Sequence, residues 1–166
     1  KHHRNDRGYA DSFLQTAAYG PSRLTLQNQE SQNDISKKST VTYSLFNTDG
    51  VLLNIEYELL MWYLEKDVRY NIVTQALLDI LPHVSGIKII DKKIFYTEKE
   101  TAAGGKTYPP MPFQNLASGH KSIIAMIGDM LIRFFKRQRH ARGTKDLHGI
   151  VFIDELDSHL HPKWQR

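Results

Sequence analysis

The sequence predicts an α/β fold, and three stretches carry this prediction. Residues 119–138 place apolar side chains at helical spacing, and residues 54–81 are strongly helical as well. Residues 150–153 are apolar throughout, which is typical of a strand that is covered on both faces. The apolar positions of the first stretch are Ile123, Ile127, Met130 and Phe134, with Ile124, Leu131 and Phe135 beside them.

The composition is that of one globular domain. Of the 166 residues, 40% are hydrophobic and 24% are charged. The absence of cysteine excludes disulfides, thiolate catalysis and cysteine-ligated zinc, and it fits a cytoplasmic protein. No apolar run approaches the roughly 20 residues that cross a bilayer, so no membrane partner is expected. Because the chain starts with lysine and stops within a predicted helix, we expect a piece of a longer protein.

The first 50 residues give weaker signals than the rest of the chain. An apolar patch at residues 13–18 precedes a predicted turn at 19–22. Residues 24–40 are rich in Gln, Asn and Ser, which indicates a loop. Residues 41–46 are interpreted as a short strand, and a turn follows at 47–50.

Two apolar stripes divide residues 54–81 into two helices, and Asp67 is expected to cap the second. The stripes are Leu59, Leu60, Tyr63 and Leu64, and then Ile72, Val73, Ala76, Leu77 and Ile80. Residues 87–97 form two β-rich runs around residues 91–93, which predicts a hairpin.

Residues 100–107, ETAAGGKT, match a phosphate-binding loop except at the first glycine, which Glu100 replaces. A working loop follows a buried strand, and a helix starts at its lysine. Here charged residues precede the match, and Tyr108-Pro109-Pro110 follows it, where a helix cannot propagate. We therefore expect a glycine-containing loop after a strand, which continues as loop through residues 107–115.

Residues 116–120, LASGH, open the long predicted helix, and two interpretations apply to them. Ser118 is a residue type that commonly caps a helix N-terminus. The free N–H groups and the partial positive charge at such a terminus also favour an anion. The dipole contributes only about 0.3–1 kcal/mol at an exposed site, so it would complete a phosphate site that other groups mostly build.

Residues 150–162, IVFIDELDSHLHP, carry the more specific signal, because Asp154 and Glu155 directly follow the apolar run. In open α/β sheets, ligands bind beyond the carboxyl ends of the strands. Two adjacent carboxylates there repel each other unless a cation such as Mg²⁺ neutralises them. Asp154 would then hold the ion, and Glu155 would orient and deprotonate an attacking water. In the alternative interpretation, Asp154 caps a following helix and Glu155 is solvated.

Together the two segments resemble the ABC-type ATPase family, with LASGH as its signature motif and IVFIDE as its Walker B strand with the catalytic glutamate. LDSHLH, residues 156–161, occupies the place of its D-loop, and DELDSHLHP is most similar to the branch of RecF, SMC/Rad50 and OLD-type ATPases. TAAYGPSR, SLFNTDGVLL and NLASGHKSIIAMIGD resemble ATPase subunits of Septu-type and retron-associated anti-phage systems. The resemblance implies a partial, P-loop NTPase-like ATPase head over residues 1–166. Its helical insertion would lie at about 54–82, and its signature helix, Walker B strand and D-loop at 116–166.

In this family two heads sandwich ATP, and the phosphate loop of one head faces the signature motif of the other. The resemblance therefore implies ATP and Mg²⁺ as cofactors, with Asp154 as the metal ligand and Glu155 as the catalytic base, both acting in cis. The residues that it implies for nucleotide binding at the interface between heads are Ser118, Gly119, His120 and His161.

The chain departs from the family pattern at several positions. No phosphate loop lies at the expected distance ahead of the signature helix, so the chain alone is expected to be inactive. His120 replaces the usual glutamine of the signature, Ala117 a small polar residue, and His161 the usual aspartate of the D-loop. The alternative is a degenerate, non-hydrolysing head that acts as a scaffold or binds nucleic acid.

The resemblance implies a second copy of the head as partner, in a DNA-linked process such as anti-phage defence or DNA repair. A nuclease or toxin subunit and DNA or RNA are further candidate partners. The basic run at residues 133–145 is interpreted as a solvated helix end or as a contact to phosphates. His159 and His161 form an H-x-H pair, which could be a metal site, but residues two apart do not share a helix face, so polar contacts near the dimer interface are the favoured interpretation.

Overall fold

The computed structural model describes residues 16–20, 25–26, 37–81, 83–100 and 105–154. Within these ranges the chain has a mixed α/β fold with both parallel and antiparallel sheets, which is compatible with a P-loop ATPase-like fold. The strands are β1 (Thr16–Tyr19), β2 (Thr25–Leu26), β3 (Val51–Leu52), β4 (Val84–Ile90), β5 (Lys93–Glu98), β6 (Met111–Pro112) and β7 (Ile150–Ile153). The helices are α1 (Tyr43–Phe46), α2 (Ile55–Leu64), α3 (Arg69–Ile80) and α4 (Ser118–Arg137).

Helix α4 lies at the centre of these elements and confirms the predicted long helix. Ile124 and Ile132, both fully buried, belong to the core that α4 shares with α2, α3 and the antiparallel sheet. Ala125 and Met126 belong to a second cluster, which includes Tyr19 of β1. Helix α4 therefore joins the parallel strands to the helices and the hairpin.

Helix α2 buries a different face from the one that its apolar stripe predicts. Asn54 caps the helix, because its side-chain oxygen accepts two N–H groups of the first turn. The buried apolar residues are Ile55, Leu59 and Trp62. Leu59 belongs to the predicted stripe and is buried as expected, but Tyr63 and Leu64 are 48% and 52% exposed, so the prediction is wrong for these two residues. Residues 59–64 are all apolar or aromatic, and their spacing therefore does not select one face.

Asp67 lies just before helix α3, but the N-cap residue is Val68, so the predicted cap is wrong by one position. The Asp67 carboxylate accepts the backbone N–H of Arg69 at 2.8 Å and also binds the Arg69 guanidinium. Val73 and Leu77 of the predicted stripe are fully buried in the core. Ile80, in the same stripe, is exposed at the end of the helix, beyond the reach of that core.

Strands β4 and β5 form the predicted hairpin, in which Ile90 pairs with Lys93. The two turn residues, Asp91 and Lys92, have φ angles of 49° and 59°. Both values lie in the left-handed region that a two-residue type I′ turn requires. Strand β6 pairs with β5, so the prediction of loop throughout residues 107–115 is wrong at that point.

Three predictions for the first 50 residues are wrong. Strand β1 includes Tyr19, which the sequence places in a turn, β2 lies within the predicted loop, and α1 forms where a strand is predicted. Strand β1 pairs in parallel with β7, and β2 pairs in parallel with β3. Such short strands form because they pack against partners that are distant in the sequence, and the local sequence does not indicate these partners.

Strand β7 forms as predicted but is not covered on both faces by the described residues. Val151 is partly buried and packs against the cluster between β1 and α4. Ile150 and Phe152 alternate to the opposite face, where they are 39% and 55% exposed. In the part of the chain that the structure describes, α4 covers a single face of the β1–β7 pair, which explains the difference.

Candidate functional site

Asp154 directly follows β7, at the edge where the carboxyl ends of β1 and β7 lie side by side. Its backbone N–H donates to the carbonyl of Tyr19 at 2.8 Å. Its side chain is exposed, and no other described residue binds its carboxylate. An exposed carboxylate is the type of ligand that Mg²⁺ takes in proteins. Glu155 and His161 lie outside the described residues, so the predicted pair of acids and the roles of these residues stay predictions.

The N-terminus of α4 begins without a side-chain cap. Ala117 is the N-cap, so Ser118 is the first helical residue and not the cap. The first turn contains no acidic residue, and the Lys121 ammonium, which donates to the Gln114 carbonyl at 3.2 Å, adds a positive charge nearby. Ser118 is exposed and Gly119 partly exposed. These two residues, called the helix tip below, therefore present a positive end that suits an anion.

His120 lies behind the helix tip and is buried. Its Nδ1 is 2.6 Å from Oε1 of Glu98 on β5, and its ring centroid is 5.9 Å from that of His83. In this conformation His120 anchors the first turn of α4 to the hairpin. Its predicted contact with a γ-phosphate stays a prediction.

The residues at either end of the phosphate-loop match, at positions 99–100 and 106–107, pair with each other in an antiparallel arrangement. Lys99 forms a bridge with Thr107, and the N–H of Glu100 donates to the carbonyl of Lys106 at 3.0 Å. The Glu100 carboxylate also accepts the hydroxyl of Tyr108 at 2.9 Å. Among the residues described after Lys106, the next helical turn is a short 3-10 turn at 113–115. Strand β5 precedes this segment, but residues 101–104 lie outside the described residues, so the loop there stays a prediction.

A buried polar network, which the sequence analysis missed, joins β1 to α4. The Asp129 carboxylate accepts the hydroxyl of Tyr19 at 2.8 Å, the N–H of Leu53 at 2.8 Å, and two N–H groups of Arg133 at 2.6 and 2.9 Å. Arg133 also donates to the carbonyl of Ser39 at 2.6 Å. Burial, and then the neighbouring Asp129 carboxylate, raise the pKa of Tyr19 well above its usual value, so its hydroxyl stays a donor. The sequence holds one clue, an acid and a base four residues apart on an apolar helix face.

The basic run is divided between buried and exposed residues, so the interpretation as a wholly solvated helix end is wrong. Arg133 is buried in the network, and Lys136 pairs with Glu58 of α2 at 3.1 Å. The Gln138 side chain binds both the N–H and the carbonyl of His148, which folds residues 138–148 into a closed loop. The exposed basic side chains of that loop include Arg139, Arg142 and Lys145.

The described ranges contain neither a cluster of metal-ligating side chains nor a helix that could cross a membrane. Within them, no group of three or more His, Cys, Asp or Glu side chains could hold a metal ion. His159 and His161 lie outside these ranges. None of the helices described has the length and apolar character that crossing a bilayer needs.

The chain is similar to several known proteins over most of its length. It is 30% identical over 147 residues to Retron Vc95 probable ATPase of Vibrio cholerae serotype O1 biovar El Tor, and this match covers 84% of the chain and 28% of the relative. It is 31% identical over 147 residues to the Septu protein PtuA of Bacillus mycoides, covering 88% of this chain and 19% of PtuA. Retron Ec83 probable ATPase of Escherichia coli is 28% identical over 133 residues, covering 79% and 23%. No model of a protein family matches the chain.

Each of these matches covers only one part of the longer relative. The chain spans between 19% and 28% of the length of these three relatives. Two of the three carry the name of a probable ATPase, and the third is named as a Septu protein. The chain is therefore homologous, over most of its own length, to one segment of the retron ATPases and Septu PtuA proteins.

Proposed function

We propose that the chain is part of an ABC-type ATPase head that dimerises around ATP and hydrolyses it with Mg²⁺. The observation that carries the proposal is the position of Asp154 at the shared carboxyl edge of β1 and β7. Ligands of open α/β sheets bind at such edges. The homology to proteins named as probable ATPases supports the same activity.

The acids at this edge would act on the nucleotide of their own head. Asp154 fits a Mg²⁺ ligand, because its carboxylate is exposed and no other described residue binds it. Mg²⁺ at that point supplies positive charge against the phosphate oxygens. Glu155, the next residue in the chain, would orient the attacking water and accept its proton.

The helix tip would act on the nucleotide of a second head. Ser118 and Asp129 are eleven residues apart on α4, so about 16 Å of helix axis separates them. Asp129 binds the hydroxyl of Tyr19, and the carbonyl of Tyr19 binds the N–H of Asp154. Asp154 is thus tied to the middle of α4 and not to its tip, which supports a role of the tip in trans.

The weak anion site at the helix tip would contact ATP only when two heads close on each other. The dipole contribution of about 0.3–1 kcal/mol adds to ATP binding only when the second head arrives. ATP would therefore stabilise the dimer until it is hydrolysed. We propose that hydrolysis drives a DNA-linked process such as anti-phage defence, with a nuclease or toxin subunit as partner.

The experiment that tests this proposal replaces Glu155 by glutamine in the intact protein. Glu155→Gln should lower the ATPase rate by about 10²–10⁴, the usual effect of losing a general base, and should accumulate an ATP-bound dimer. Asp91→Asn is the matched control, because Asp91 lies in the exposed hairpin turn and asparagine tolerates its positive φ. A Glu155→Gln protein with the parental rate contradicts the assignment of the base. A parent that binds ATP without turnover supports a scaffold instead.

A second candidate function is nucleic-acid binding, which the closed basic loop at residues 138–148 favours. Its exposed guanidinium and ammonium groups suit phosphate contacts. Binding of a DNA duplex by the intact protein should then weaken steeply between 50 and 200 mM salt, as is typical of phosphate contacts. Absence of binding at low salt removes this candidate.

A further inference from the structure

We propose that Tyr19 is a positioning residue that ties the strand edge carrying Asp154 to helix α4, and through α4 to the helix tip. This inference rests on the ATPase function proposed above, because it concerns how the cis and trans parts of that site keep a fixed relation. Tyr19 is the last residue of β1 and binds both Asp154, at the strand edge, and Asp129, in the middle of α4.

The link consists of two hydrogen bonds and one side chain. The carbonyl of Tyr19 accepts the N–H of Asp154 at 2.8 Å, and its hydroxyl donates to Oδ2 of Asp129 at 2.8 Å. Tyr19 and Asp129 are both buried, so water does not compete for the second bond. A shift of the strand edge is therefore transmitted to the middle of α4 through one residue.

Asp129 is held in place at the far end of this link. Arg133, one turn further along the same helix, binds both of its oxygens, and the N–H of Leu53 binds Oδ1. A buried carboxylate with these donors has a fixed orientation, since reorienting it would leave a buried charge unpaired. Arg133 in turn donates to the carbonyl of Ser39, which adds a further anchor.

Removal of the Tyr19 hydroxyl should break the link between β1 and α4 while leaving the rest of the fold in place. Among the described residues that donate to Asp129, Tyr19 is the one that belongs to the β1–β7 pair, since Arg133 belongs to α4 and Leu53 follows β3. Loss of the hydroxyl leaves the Asp129–Arg133 ion pair intact. The aromatic ring also keeps its place in the apolar cluster with Met126.

The test is Tyr19→Phe in the intact protein, assayed with Mg²⁺ and ATP. We expect kcat to fall roughly three- to thirtyfold and ATP-dependent dimerisation to weaken, the size typical of changes along a coupling path. KM for ATP should change less than kcat, because the groups that hold the nucleotide in its own head are untouched, and only the contribution of the second head is weakened. Sedimentation of the dimer provides a readout that is independent of hydrolysis.

Two matched controls separate coupling from a general loss of buried hydrogen bonds. Tyr96→Phe removes a hydroxyl from an equally buried ring, and Ser44→Ala removes a buried hydroxyl that donates to the Ala18 carbonyl of β1 at 3.0 Å. Both should keep kcat and dimerisation within about twofold of the parent. Thermal unfolding of each variant establishes that it is folded at the assay temperature.

The outcomes distinguish this inference from the proposed function. A folded Tyr19→Phe protein with parental kcat and dimerisation overturns the inference and leaves the ATPase function standing. An equal loss in all three variants, or a Tyr19→Phe protein that is unfolded at the assay temperature, assigns the effect to stability and also overturns it. A parent without ATPase activity overturns the proposed function, and the inference with it.

Discussion

Tyr19→Phe and Tyr96→Phe each remove one buried hydroxyl, and only the Tyr19 hydroxyl forms a hydrogen bond to a described residue. Tyr19 is 2% exposed, and its hydroxyl donates to the Asp129 carboxylate, which also binds the Arg133 guanidinium. Tyr96 is 0% exposed, and its hydroxyl has no hydrogen-bond partner among the described residues. The loss of volume is the same at both sites, so the difference between the variants measures the hydrogen bond.

The expected magnitudes follow from what each hydroxyl leaves behind. A hydrogen bond to a charged group contributes about 1.5–3 kcal/mol to stability. Asp129 keeps the donors from Arg133 and Leu53, so we expect Tyr19→Phe to cost about 1.5–2 kcal/mol, the lower part of that range. Tyr96→Phe removes an unpaired hydroxyl from the core and should be neutral or stabilising by up to about 1 kcal/mol.

Urea unfolding at pH 7 measures both changes in the free energy of unfolding. The pKa of Tyr19 is raised well above its usual value, so its hydroxyl is protonated at this pH. Equal slopes with denaturant show that the midpoints report stability and not a changed unfolded state. If Tyr96→Phe costs as much as Tyr19→Phe, or if Tyr19→Phe costs nothing, the account of the network is refuted.

Two further predictions concern packing and pH. Gly128→Ala should lower the free energy of unfolding by about 1–3 kcal/mol, measured by thermal unfolding, because a Cβ there would lie 2.5 Å from Cβ of Ile55. This clash should outweigh the better helix propensity of alanine. A gain in stability would contradict the prediction. The hydrogen bonds from Arg69 lower the pKa of Asp67, so this carboxylate stabilises the fold above its unfolded pKa of about 3.9, and the contribution is lost as the pH falls through the lowered value. Asp67→Asn should therefore reduce Tm at pH 7 and match the parent increasingly as the pH falls below the unfolded value of about 3.9; a constant difference in Tm would contradict the ion pair.

The elements that the sequence predicts well are those whose causes are local. The apolar spacing of residues 119–138 defines α4 because a helix face is set by residues three and four apart. The hairpin follows from two β-rich runs and a two-residue turn, which Asp91 and Lys92 complete with positive φ. The lookalike phosphate loop could be rejected because Pro109 and Pro110 forbid the helix that it needs.

The remaining features depend on partners that are distant in the sequence. The face that α2 buries is not readable from residues 59–64, since all six are apolar or aromatic. Tyr19 and Asp129 are 110 residues apart, so nothing near either of them indicates their hydrogen bond. Strand β1 is short and forms against β7, which lies at the other end of the described chain.

The most direct test of the central proposal is the Mg²⁺ dependence of ATP hydrolysis by the intact protein with and without Asp154→Asn. Asparagine keeps the backbone bond to Tyr19 and removes the negative charge from the strand edge. We predict that the Mg²⁺ concentration for half-maximal rate rises at least about tenfold. Mutation of residues that only support a metal ligand already lowers metal affinity by about 10–100-fold, and Asp154 is proposed as a ligand itself. An Asp154→Asn protein with the parental rate and the parental Mg²⁺ requirement would contradict the assignment of this residue to the metal.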